Sequence, residues 1–244
     1  MTRVNSTQER RFKNAVKAGD IPTMGRMLDL HPEYRHLKLG RSNLIEYCLD
    51  LSFRRDCILG HLIPVAVFLA ERGVEVAHGF PFRHLLIHVC QTRSDALLER
   101  LLEALKKQKV ELNSSTSFEG ILNAVICWCD SSMTVTQIRL FQRYHVDINR
   151  CDSRHKTPLC NALERIQYYP NKYGLSAKLA ECGADVNVEC AVGSAMDYVR
   201  RLYPPPHPIY EGLNFPSVLR RQLLPFLVPV LNVYQVPELV ISFL

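Results

Sequence analysis

The sequence predicts an all-α solenoid of stacked helix-turn-helix units joined by short β-hairpin or extended fingers, and three observations carry that reading. A four-residue phrase returns as Val-Glu-Val-Ala at 74–77, Val-Glu-Leu-Asn at 110–113, Val-Asp-Ile-Asn at 146–149 and Ala-Asp-Val-Asn at 184–187, in steps of 36, 36 and 38 residues, the range in which self-similarity marks a repeat array. Between these phrases the apolar residues fall at helical spacing. Capping and turn residues also stand at corresponding places in successive units.

The elements follow in order. At the N-terminal end, about residues 8–32, Phe12, Ala15 and Val16 lie on one helix, Gly19-Asp20 is a turn, and Met24, Met27 and Leu28 lie on the next. The polar outer face of this pair suits a terminal cap of the array. Second helices of later units carry the apolar faces Ile63, Val67 and Phe68; Leu97, Leu98, Leu101, Leu102 and Leu105; Ile138, Leu140 and Phe141; and Leu175 and Leu179, with Val186 pointing to the same core. First helices are expected to start at Ser42-Asn43-Leu44, Gly120-Ile121-Leu122, Thr157-Pro158-Leu159 and Ser194-Ala195-Met196, with Arg83-His84-Leu85-Leu86 taking that part in the unit after residue 77. Thr157 caps through its hydroxyl, and Pro158 suits the first helical position, where no amide donor is needed.

Cys151 to Leu159 reads Cys-Asp-Ser-Arg-His-Lys-Thr-Pro-Leu, and Gly183-Ala184-Asp185-Val186-Asn187 closes the unit. This segment resembles the ankyrin repeat, whose pattern is Asp-x-x-Gly-x-Thr-Pro-Leu-His followed later by Gly-Ala-Asp-Val-Asn. The resemblance implies about five to six units over residues 1–212, divergent in the middle, with fingers and first helices lining a concave binding face. Departures are plain: His155 stands in place of the finger glycine and Cys160 in place of the histidine, and extra residues occur at 54–61 and 167–173. Gly73 and Gly183 suit the left-handed residue that ends a second helix. Lys109 and His145 occupy that place in the middle units, so those two turns are expected to be built differently.

Composition limits the function. With 47% hydrophobic and 22% charged residues the chain is expected to fold around a continuous core. Its formal charge of +6 is dispersed in short groups such as Arg10-Arg11 and Arg220-Arg221, with no basic run interleaved with aromatics, which argues against a nucleic-acid partner. The polar start, Met1 to Arg11, resembles neither a secretory signal nor an anchor, and nine cysteines at irregular positions read as reduced thiols. A cytoplasmic or nuclear protein is expected.

No phosphate loop, nucleophile elbow or paired metal-binding histidine motif occurs, so no catalytic residue and no cofactor is assigned. His84, His88, Cys127 and Cys129 could be imagined around zinc, but they lie on separate helices with buried faces, and core packing is the preferred reading. The expected function is non-enzymatic binding of a partner protein, in a pathogen effector or a host regulator. Phe80, Phe82, Arg83, Phe118, Glu119, Arg150, Arg154 and His155 are the expected contact residues, because aromatic and arginine side chains at fingers are the types that anchor interfaces.

Residues 213–244 form an apolar C-terminal segment expected either to cap the array or to dock another protein. Tyr203-Pro204-Pro205-Pro206-His207-Pro208 precedes it as an extended spacer, and Pro225, Pro229 and Pro237 break it too often for a membrane span. Val236-Pro237-x-x-Val240-x-x-Phe243-Leu244 is similar to the end of the SOCS box. That resemblance implies docking of elongin B/C and a cullin ubiquitin ligase through Leu219, Leu223, Pro237, Val240, Phe243 and Leu244, although residues 216–224 lack the Leu-Cys pair expected upstream.

Overall fold

A computed structural model describes residues 6–39, 42–54, 62–76, 80–113, 120–129, 133–166, 173–188 and 193–195, with 197 and 201. The chain is mostly helical, and it divides into two compact units, Met1–Glu111 and Leu112–Leu244.

The first unit begins with α1 (Ser6–Ala18) and α2 (Ile21–Leu30), followed by a 3₁₀ helix, Pro32–His36. Asp20 caps α2 by accepting the amide of Thr23 at 3.0 Å, and Phe12, Val16, Met24 and Leu28 close a buried contact between the two helices. The strands β1 (Lys38–Leu39) and β2 (Ser42–Asn43) pair antiparallel, Lys38 opposite Asn43 and Leu39 opposite Ser42. They are the one hairpin among the described residues. Four helices follow: α3 (Leu44–Arg54), α4 (Leu62–Glu71), α5 (Phe80–Gln91) and α6 (Asp95–Lys107).

The second unit holds α7 (Ile121–Trp128), α8 (Val135–Arg143), α9 (Pro158–Ile166) and α10 (Tyr173–Glu181). In both units like packs on like. First helices lie against first helices, α3 on α5 and α7 on α9, while second helices lie against second helices, α4 on α6 and α8 on α10. The apolar faces expected of the second helices are all buried.

The recurring phrase has a structural cause. Each copy follows a helix whose last turn is closed by a left-handed residue, Gly73, Lys109, His145 or Gly183. Behind each the next amide reaches back five residues: Val74 to Leu69, Val110 to Leu105, Val146 to Phe141 and Ala184 to Leu179, all at 2.9–3.0 Å. The same bond pattern therefore ends all four helices. The turns at Lys109 and His145 are not built differently, contrary to expectation. Both residues adopt φ near 60°, and at Lys109 the ammonium stands at a helix C-terminus, where the exposed carbonyls favour positive charge and offset part of the strain.

The phrase's polar letters are also explained. Asp147 Oδ1 accepts the amide of Asn149 at 2.9 Å, and Asp185 Oδ1 accepts that of Asn187 at 2.8 Å, so each aspartate closes its own turn. The asparagine then links to the next copy: Asn113 Oδ1 accepts the amide of Asp147 at 3.1 Å, and Asn149 Oδ1 that of Asp185 at 2.8 Å. Side chains, not strands, tie these turns together.

The start of α3 falls within the expected Ser42-Asn43-Leu44, with Asn43 as its cap: its Oδ1 accepts the Glu46 amide at 2.9 Å while Glu46 Oε2 accepts the Asn43 amide at 2.7 Å. Helix α5 starts at Phe80, three residues before Arg83, because Pro81 is tolerated in a first turn. The starts at Ile121 and Pro158 fall where the sequence puts them.

A braced candidate partner-binding loop

Between the turn at 146–149 and the start of α9, residues 150–157 form a loop whose shape is set from beneath by buried polar side chains. Asp152, only 8% exposed, is the hub. Its Oδ1 accepts the amides of Arg154 and Lys156, each at 2.9 Å, and its own amide donates to the Lys156 carbonyl at 2.9 Å. Oδ2 accepts Asn161 Nδ2 from α9 at 2.9 Å.

Asn161 Nδ2 also donates to Asn123 Oδ1 on α7 at 2.9 Å, and Asn123 Nδ2 donates to the Arg150 carbonyl at 3.0 Å. Two helices and the loop thus share one chain of hydrogen bonds. Asn123 and Asn161 are buried, so each bond counts for more than it would in water, and an unmatched group there would be costly. Thr157, also buried, caps α9 by accepting the Cys160 amide at 3.2 Å. Lys156 Nζ meets Glu164 Oε2 at 2.6 Å.

This brace presents Arg154 and His155 to solvent and leaves Arg150 half-buried. His155 has φ of 55°, a left-handed conformation that costs a non-glycine residue about 1 kcal/mol. Beside Arg150 lies a shallow surface dimple of about 10 Å³, lined partly by Ile121, Leu122, Val146 and Pro158. That is room for about one water and not for a small molecule.

The other expected contact residues fare differently. Phe82 is buried, at 7% exposure, and belongs to the core of the first unit. It is not a finger side chain, because α5 begins before it. Arg83 is half-buried on the same helix, and Phe80 is its first residue. Phe118 and Glu119 lie outside the described residues, as do Leu219, Leu223, Pro237, Val240, Phe243 and Leu244 in the C-terminal segment. Arg150, Arg154 and His155 are the part of the expected surface that is brought together on one loop.

Sequence reasoning missed the brace itself. Its signal was present: Asn-Ala recurs at 123–124 and 161–162 within otherwise apolar first-helix faces, 38 residues apart. A polar residue repeated at a core position asks for a partner.

The titratable groups elsewhere point to packing. Burial pushes the Cys48 thiol up to about 12, and burial also raises Cys182, both away from the thiolate that nucleophilic or redox chemistry needs. Burial lowers His84 and His88 on α5, helped at His84 by the neighbouring His88 and Arg83 and opposed at His88 by its bond to Gln91. Among the described residues no three His, Cys, Asp or Glu side chains converge on a metal-sized site. No described helix is long and apolar enough to cross a membrane.

No family model, curated protein or solved structure matches this chain.

Proposed function

We propose that this protein is a non-enzymatic, ankyrin-type repeat module that captures a partner protein on its finger loops. The solenoid reading is supported by the common turn at Gly73, Lys109, His145 and Gly183, by the asparagine links between successive phrases, and by the packing of like helices on like. The binding reading is carried by one observation: buried Asn123, Asn161 and Asp152 are committed to holding the loop that carries Arg150, Arg154 and His155. A core made only for stability would not need three polar side chains there, since apolar replacements pack as well without the desolvation penalty.

A loop fixed before binding loses little entropy when a partner docks, and this is how a repeat scaffold gains affinity from a modest contact area. The test is affinity purification with the intact chain and with an Arg150→Ala/Arg154→Ala double variant that keeps the native circular dichroism. A stoichiometric partner retained by the first and lost by the second is expected. Recovery of the same proteins by both would sink the assignment of the loop, and turnover of a substrate by the purified chain would sink the non-enzymatic reading.

A further inference from the structure

Charge on the loop is not balanced within it. Asp152 is the loop's own carboxylate, and both oxygens face inward, engaged by Arg154 N, Lys156 N and Asn161 Nδ2. Lys156 is neutralised by Glu164. Asp147, the next carboxylate along the chain, closes its own turn through Oδ1. Arg150 and Arg154 differ: their backbone groups are bonded, but among the described residues neither guanidinium has an ion-pair partner.

His155 adds a third donor under strain. Among the described residues, the other non-glycine residues with positive φ are Arg93, Lys109 and His145, and each follows a helix C-terminus. His155 instead precedes the N-terminus of α9. Its φ is set by the turn, in which the His155 amide donates to the Asp152 carbonyl at 3.0 Å and the Asp152 amide to the Lys156 carbonyl at 2.9 Å, and the turn leaves the imidazole exposed beside Arg154.

We infer that residues 150–155 receive an acidic segment of a partner protein, with carboxylates on Arg150 and Arg154 and a further bond from His155. This rests on the reading of the chain as a protein-binding module. Guanidinium forks match carboxylates two bonds at a time, so two of them on a rigid loop select a spaced pair of acids. A nucleic acid would also bring anions, but residues 145–157 contain no Phe, Trp or Tyr on which a base could stack.

A random peptide library displayed on phage and selected against the intact chain tests the inference, followed by fluorescence anisotropy with the selected peptides. Enrichment in Asp and Glu is expected. Binding should fall about tenfold for Arg150→Ala and again for Arg154→Ala, as removal of a charge-assisted pair predicts. It should recover in part with lysine at both positions, and weaken as salt rises from about 50 to about 300 mM. Asn and Gln versions of the peptides should bind at least tenfold more weakly. Circular dichroism checks folding, which the variants should keep because the Asn123 bond is to the Arg150 backbone.

Peptides that lose binding in the arginine variants but lack acidic enrichment would overturn the acidic partner and leave protein binding standing. Selected peptides indifferent to both variants, or an empty selection, would overturn the protein-binding reading of the loop as well. A labelled single-stranded oligonucleotide that binds more tightly than every peptide and is lost with the arginines would replace both with nucleic-acid recognition.

Discussion

At the scale of single residues, Asp152 is the side chain on which most of the loop depends. It accepts two backbone amides and one asparagine amide while nearly excluded from solvent. Removing it leaves Asn161 short of an acceptor and frees the turn, so Asp152→Ala should cost about 3 kcal/mol in urea unfolding, at roughly 1 kcal/mol per lost bond. An Asp152→Ala chain as stable as the parent would show that the brace carries no weight. The contrast with Thr157 shows what sequence reveals at this scale. Thr157 caps a helix that begins at the next residue, so its role was legible from neighbours alone. Asn161 works through Asn123, 38 residues away, and nothing local to Asn161 specifies that contact.

At the scale of elements, α5 shows both what the pattern revealed and why it failed. Its buried face, Leu85, Leu86, Val89 and Cys90, follows helical spacing. Its start did not, because the sequence spacing put the helix start near Arg83 while Phe80-Pro81 already opens the helix. That shift turned Phe82 from an expected contact into a core residue. The same helix carries His84 and His88, with ring centroids 6.2 Å apart, both held below the ordinary imidazole value of 6.5 chiefly by burial. A group whose folded pKa is depressed contributes its stability above its unfolded pKa and loses it as pH falls through the folded value. The folded state binds fewer protons than the unfolded one in that range, so stability should decline from about pH 6.5 downward. Urea midpoints measured between about pH 7.5 and about pH 5 should show this decline, and His88→Gln should make it smaller. An unchanged acid slope in that variant would mean that the histidines do not titrate with folding.

At the scale of the whole molecule, the recurring phrase is a local device used repeatedly. In the copies at 146 and 184 the apolar letters fill the core beneath a turn and the aspartate closes that turn, while Asn113 and Asn149 fasten the copies that follow them. Such a device needs only neighbouring units, which is why the period was visible along the chain while the three-way contact of Asp152, Asn123 and Asn161 was not. Under the proposed repeat reading, stability is close to a sum of unit and nearest-neighbour contributions. Each of the two compact units has its own buried side chains: Phe12, Val16, Leu44, Leu69, Leu85 and Leu101 in one, and Leu122, Val125, Phe141, Leu159, Leu175 and Val186 in the other. Chains 1–111 and 112–244 expressed separately should therefore each show helical circular dichroism and a cooperative urea transition, the second retaining the loop and its peptide binding. A fragment that is helical but melts without cooperativity would mean that its unit depends on the other half of the chain. The period would then describe how the turns are made without describing how stability is divided.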